Sequence, residues 1–201
     1  NRFVNGYLNY TTDYISQVTK MDGERLITTY ANADSDLKTG VELSLKVTPA
    51  KWVNFSVSAN TYYVTTEGIF KGTHIDNNGW TNNSNLMFNF IPWKGGDIQV
   101  QYFVTTPQYY PQLTTSLTHQ MNIGIKQRLL KSAMTVSVLV TDVLNTAKWE
   151  VWSHNNLFDL MNSSKNKSRM LWLGVSYNFN SFKQKGGQKT ETNRSLIRLG
   201  M

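Results

Sequence analysis

Three histidines, His74, His119 and His154, are the chain's only imidazoles, and no cysteine accompanies them. A zinc site takes three or four such side chains at about 2.0–2.3 Å from one ion, usually with two of them a few residues apart. These three stand in separate segments without i, i+2 or i+4 partners, so neither a metal site nor a cofactor is expected. Acid–base chemistry would have to draw on Asp13, Asp142, Glu150 and His154. No G-x-S-x-G supplies a nucleophile and no glycine-rich loop opens a helix for phosphate, so no catalytic residue is expected and the chain reads as a non-enzyme.

Contact with a ligand is better supported by two aromatic segments. In "TTPQYYPQ" Tyr109 and Tyr110 are flanked by Pro107 and Pro111, and "KWEVWSHNN" offers Trp149, Trp152 and His154. Aromatic faces beside amides suit sugars or peptides. For Trp149 an interfacial position competes with that role, which leaves Tyr109, Tyr110, Trp152 and His154 as the candidate ligand-binding residues.

The elements that must position these segments alternate with period two, as half-buried strands do. In "KWVNFSVSANTYYVTT" Val53, Phe55, Val57, Ala59, Thr61 and Tyr63 share one face, and Asn54, Ser56, Ser58, Asn60 and Tyr62 the other. The same pattern recurs in about eight segments. The first, "VNGYLNYTTDYIS", places Val4, Leu8, Tyr10, Thr12 and Tyr14 together; the last, "RMLWLGVSYNF", places Leu171, Leu173, Val175, Tyr177 and Phe179 together. Tight turns at residues 48–51, 92–96 and 129–133 alternate with long polar stretches at 16–36, 67–83, 106–114 and 148–167. Short turns therefore gather at one end of the sheet and long loops at the other.

A strand crossing a bilayer needs about 9–11 residues, and outer-membrane barrels combine short periplasmic turns, longer outer loops and apolar-out, polar-in alternation. The expected fold is an all-β antiparallel transmembrane barrel over residues 1–180, with about eight strands present and its extra strand length projecting above the membrane. Trp52 and Trp93 beside tight turns, and Trp80, Tyr109, Tyr110, Trp149 and Trp152 near the long loops, would form two aromatic girdles. One position breaks the register: the phase of Met134, Val136, Val138 and Val140 sends Asp142 toward lipid unless a bulge or a height above the membrane relieves it. A secreted β-sandwich is the competing fold, but its turns come every 8–12 residues or so.

Composition agrees. Hydrophobic residues make up 40% and charged ones 16%, below the roughly 45–50% and 25% of soluble domains. With a mean hydropathy of −0.39, uncharged polar residues fill the gap. The net charge of +7 is concentrated partly in residues 181–201, a polar, basic tail expected to be flexible, and no nucleic-acid motif accompanies it, so no nucleic-acid partner is expected. Without a starting methionine or a signal segment at "NRFVNGYLNY", the chain reads as an internal or processed piece of something longer.

The order of these segments resembles the C-terminal barrel region of TonB-dependent outer-membrane receptors of the Bacteroidetes type. "TTDYISQV" carries Asp13 and Ile15 of an up-strand, Asn32 follows, and Gly40-Val41-Glu42-Leu43 leads into a turn with Pro49. "VSVLVTDVLNTAKW" is similar to the penultimate strand, with Asp142 and Asn145 at the family's motif positions. "LWLGVSYNF" is similar to the last strand, whose aromatic end implies that Tyr177 and Phe179 are the signal read by the barrel-assembly machinery. The resemblance implies the last third of a barrel of about 22 strands, importing a nutrient whose identity the sequence does not give. Its partners would be outer-membrane lipid and lipopolysaccharide, the barrel-assembly machinery, the TonB complex reached through a plug region, and a surface lipoprotein. The alternative is a self-contained eight-stranded barrel of the OmpA/OmpX type.

Overall fold

The structure, a computed structural model, describes residues 2–70, 72–154 and 159–179, with the backbone alone at Ala33 and His154. The basic tail, 181–201, lies outside the described residues. Eight antiparallel strands form one sheet in chain order: β1 (Arg2–Asp22), β2 (Arg25–Ala50), β3 (Val53–Glu67), β4 (Asn77–Phe90), β5 (Gly96–Thr105), β6 (Thr118–Leu129), β7 (Met134–Thr141) and β8 (Met170–Tyr177). Among the described residues each pairs only with its neighbours in that order. The sheet does not close: β1 pairs with β2 alone and β8 with β7 alone among the described residues.

Register converts the sequence alternation into two continuous surfaces. Phe55, Phe88, Val100, Ile123, Val140 and Leu171 stand opposite one another in one row across β3 to β8. In that row Phe55 and Phe88 stack with ring centroids 5.6 Å apart. The row beneath it on the other face runs Asn54, Asn89, Gln99, Gly124, Leu139 and Trp172. Here amides bond across strands: Asn89 Nδ2 donates to Asn54 Oδ1 at 2.8 Å, and Gln99 Nε2 to Asn89 Oδ1 at 2.8 Å. On the amide face neighbouring side chains bury Gln99 and Gln101, 5% and 6% exposed, while on the apolar face Leu173 is 75% exposed. A surface that exposes Leu173, Val175, Phe88 and Leu8 is not built for water.

Aromatic pairs mark the ends of the apolar band. Trp52 meets Phe90 edge to face at 5.5 Å near the tight turns, and Tyr63 meets Trp80 likewise at 5.5 Å toward the long loops. From Val53 to Tyr63 the strand covers about 33 Å at ~3.3 Å per residue, and a tilt of about 40° reduces this to roughly 25 Å, the height of an outer-membrane apolar band.

The segment expected as a long loop at 16–36 is instead a continuation of the β1–β2 hairpin, paired residue by residue up to Asp22 and Arg25. Gly23, at φ 64, takes the first central position of the two-residue turn, where a left-handed backbone matches the twist of the strands. The hairpin also changes phase. Below Asp13 the exposed members are Val4, Leu8 and Tyr10; above it Ile15 is 68% exposed and Val18 is 1%. Asp13 sits at φ 53, and this one left-handed residue rotates the strand so that Tyr14 lies inward, on the opposite face from Leu8. The stretch expected as a loop at 67–83 is shorter, because β3 runs to Glu67 and β4 begins at Asn77. Its mini-hairpin pairs Ile69–Phe70 with Thr73–His74.

The two faces predict opposite responses to the same substitution at adjacent positions. Val57→Arg, outward near mid-height, should cost about 2–4 kcal/mol of folding into lipid vesicles, and Ser58→Arg, inward, less than about 1 kcal/mol. Denaturant titration of the two variants measures the difference.

Candidate functional site

At the long-loop end, the loop at 106–117 does not extend away from the sheet; it folds back over the inner face. Its proline-flanked sequence carries carbonyls that the strands can reach. Thr81 Oγ1 donates to the Pro107 carbonyl at 2.9 Å, and Tyr62 OH donates to Gln108 Oε1 at 3.0 Å. Asn77 Nδ2 lies 2.9 Å from Tyr110 O, 3.2 Å from Leu113 O and 3.0 Å from Thr114 Oγ1. From the β1 side the Thr19 amide donates to Gln112 Oε1 at 2.7 Å. These bonds fix the loop from β1, β3 and β4 at once. The Tyr109 ring occupies the space that a side chain at Gly79 would need, so that glycine admits the ring against the wall.

The second aromatic segment reaches the same place. Strand Trp149–His154 pairs with Asp159–Ser164 on one side and with Thr114–Thr115 on the other, through Val151 opposite Thr115 and Trp152 opposite Thr114. Alternation along this short strand turns Trp149 and Val151 toward the inner face. They close a cleft of about 320 Å³ whose walls include Tyr14, Gln17, Tyr110 and Leu113. A smaller cavity of about 80 Å³ adjoins it, sharing Tyr14 and Tyr110 and lined also by Asp36, Lys38 and Gln108. Lys38 Nζ is 2.7 Å from Asp36 Oδ2 and 5.9 Å from the centre of the Tyr14 ring. The ammonium thus has a carboxylate and an aromatic face, and Asp36 is buried beside it.

Asp142 fixes the root of the longest loop. Its backbone, at φ 44, leaves the β7 register and brings the carboxylate inside, where Asp142 is fully buried. The register conflict on this strand is resolved by that left-handed residue. Its Oδ1 accepts from the Thr146 amide at 2.9 Å; Oδ2 accepts from the Ala147 amide at 3.1 Å and from the Ser168 hydroxyl. Its own amide donates to Asn122 Oδ1 at 2.9 Å, and Arg169 Nη2 donates to the Val143 carbonyl at 2.9 Å. Burial works against the charge, but the Ser168 hydroxyl, the two amides and the Lys165 ammonium outweigh it and hold the carboxyl below the ordinary aspartate range.

Of the residues singled out in the sequence, Tyr110 lines the cleft and is partly exposed, whereas Tyr109 packs on Gly79 and reaches only the smaller cavity. Trp152 is placed by its pairing with Thr114 and points away from the cleft that Trp149 lines. The His154 backbone pairs with Asp159, and its side chain lies outside the described residues. Tyr177 and Phe179 meet edge to face at 4.8 Å at the tight-turn end of β8, with Phe179 almost wholly exposed. Sequence reasoning missed Tyr14, because the turnover at Asp13 moves it inward, and missed the Lys38–Asp36 pair, two residues apart on one strand face. Among the described residues no group of three or more His, Cys, Asp and Glu could hold a metal ion. No helix there is long and apolar enough to cross a membrane, which leaves crossing by strands open.

Compared with known families, residues 2–177 match the outer membrane protein beta-barrel family. No curated protein and no solved structure gives a significant match.

Two variants test the geometry. Gly79→Ala should push Tyr109 off the wall and cost about 1–3 kcal/mol, read by urea titration. Asp142→Ala, which strands a hydroxyl and two amides, should cost about 2–4 kcal/mol. Because the folded carboxyl titrates below its unfolded value, its contribution is complete above about pH 4 and is lost as pH falls through the folded value. The difference in stability between the parent and Asp142→Asn should therefore shrink on acidification below that point.

Proposed function

We propose, from the premise that the chain belongs to the outer membrane protein beta-barrel family, that it forms the C-terminal part of the wall of a TonB-dependent transporter importing a nutrient. Membership implies the bacterial outer membrane, with the apolar face on lipid and lipopolysaccharide and the amide face on water. The observation that carries the finer reading is the open sheet. In hydrocarbon an unpaired strand edge is untenable, because its N–H and C=O groups meet no water. The edges of β1 and β8 therefore call for further strands, and a wall of about 22 supplies them.

Three features support a transporter over a filled structural barrel. Amides and hydroxyls predominate on the inner face, with charged residues such as Glu42, Lys46, Asp97 and Lys126 among them, a surface suited to a wide wet lumen. A loop is folded back over that face and fixed to three strands. A cleft opens at the long-loop end. The proposed mechanism makes no covalent bond: a nutrient binds at the outer face, and a plug outside residues 1–201, engaged by the TonB complex, rearranges to release it inward. Barrel-assembly machinery would read Tyr177 and Phe179, and a surface lipoprotein could deliver the nutrient. The count of eight strands also fits an OmpA/OmpX-type barrel, but such a barrel pairs its first and last strands, and among the described residues β1 and β8 are not paired.

The full-length gene product, expressed in the outer membrane, should accumulate its nutrient only when the TonB complex is intact. The 201-residue chain refolded alone in detergent should fail to give a compact, heat-modifiable barrel. A stable monomeric barrel of this chain would transfer the assignment to the eight-stranded type.

A further inference from the structure

We infer that the cleft between the inward-folded loop and strand Trp149–His154 binds a neutral, hydroxyl-rich ligand, an uncharged oligosaccharide, an inference that rests on the transporter reading and specifies its cargo. The cleft of about 320 Å³ has Tyr14 and Tyr110 as walls in common with the adjoining cavity of about 80 Å³, and its volume lies within the size range of small-ligand sites. The cleft is lined by aromatic and aliphatic side chains, Tyr110, Trp149, Leu113 and Val151 among them, with Ser16, Gln17 and Thr115 as its polar groups. Flat rings of this kind complement the C–H faces of a pyranose.

Charge decides between ligand classes. Among the described residues no charged side chain lines the cleft, and Lys38 and Asp36, the only charged residues lining the adjoining cavity, neutralise each other at 2.7 Å. A ligand with a net charge would give up its hydration here without meeting an uncompensated counter-charge. A short peptide brings two charged termini, and engaging either one would compete with the existing pair. A hydroxyl both donates and accepts, so it can add to an ammonium and a carboxylate without separating them. Gln17, Gln108, Ser16 and Thr115 offer the same dual chemistry. The site is also fixed before a ligand arrives, since Thr19, Tyr62, Asn77 and Thr81 all hold its loop, which lowers the ordering cost of binding. Below it, Asn60, Asn83 and Asn85 continue a donor and acceptor surface along the inner wall, beside the carboxylate of Glu42.

The experiment titrates the full-length protein in detergent with maltotriose, cellotriose, xylotriose and N-acetylchitotriose, and with trigalacturonate and triglycine as charged probes. Tryptophan emission and calorimetry report binding. At least one neutral trisaccharide should bind, with an affinity unchanged between about 50 and about 500 mM salt. Tyr110→Ala and Trp149→Ala should each weaken it about tenfold or more, and Trp80→Phe, on the outer face, should not. Binding of charged probes only, of none of the probes, or equally to Tyr110→Ala and Trp149→Ala would overturn the inference. TonB-dependent uptake of a charged probe would remove the ligand class and leave the transporter standing. Binding of a neutral trisaccharide without TonB-dependent uptake would remove the transporter and leave the site.

Discussion

The constraint on which the structure depends is that backbone polar groups in hydrocarbon must find partners within the protein. It explains why the chain is a meander in which consecutive strands pair along their length, and why apolar side chains can face outward without a second layer to cover them. In a soluble sheet the row Phe55, Phe88, Val100, Ile123, Val140 and Leu171 would need another sheet or helices against it. None packs there among the described residues, and the contacts between elements are almost entirely those of paired strands and the turns that join them. The energetics of this fold thus divide: the ladder satisfies the backbone, lipid takes the outer face, and the inner face must hold itself together by hydrogen bonds.

The inner face does so through amides. Asn and Gln carry both donor and acceptor on one short, uncharged group, so neighbouring strands can bond side chain to side chain at the same height, as Asn54, Asn89 and Gln99 do. Charges in these positions would be desolvated by their crowded neighbours or would repel one another across strands. The chain's low content of charged residues and its abundance of Asn, Ser, Thr and Gln are the compositional trace of that wall. Three of the charged residues inside are paired or multiply hydrogen-bonded: Lys38 with Asp36, and Asp142 with Ser168, Thr146 and Ala147.

The strand faces were legible because period two is a local property, and the rows of the sheet keep the alternation of "KWVNFSVSANTYYVTT" in unbroken register from Val53 to Val64. Turn placement was legible too, from Pro49, Pro92 and the glycines at 95 and 96. What failed was the status of residues 16–36. Their polarity suggested a loop, but polar residues form strands above a membrane as readily as elsewhere, and the Asp22-Gly23 pair was the sign of a tight hairpin. The reversal at Asp13 could not be read, since nothing in a side-chain pattern announces a single left-handed residue in a strand. It misplaced Tyr14, and with it one wall of the cleft. The two aromatic segments meet in the structure, but which of Trp149 and Trp152 faces inward depends on the pairing of Val151 with Thr115, a contact between residues far apart in sequence.

The same non-local contacts tie the mouth to the strands beneath it. Left-handed residues at Asp13 and Asp142 each occur where a strand leaves the apolar band, and each redirects a side chain from the lipid side to the inner side. One rotates the β1–β2 hairpin so that Tyr14, Ser16 and Val18 face the inward loop; the other turns a carboxylate into a clamp at the root of residues 142–169, the segment that contains Trp149. A strand that obeyed strict alternation could not serve both regions, since the face that must be greasy within the membrane is the wrong face above it. A backbone inversion at the boundary solves this with one residue, and the cleft exists because it happens on both sides of it.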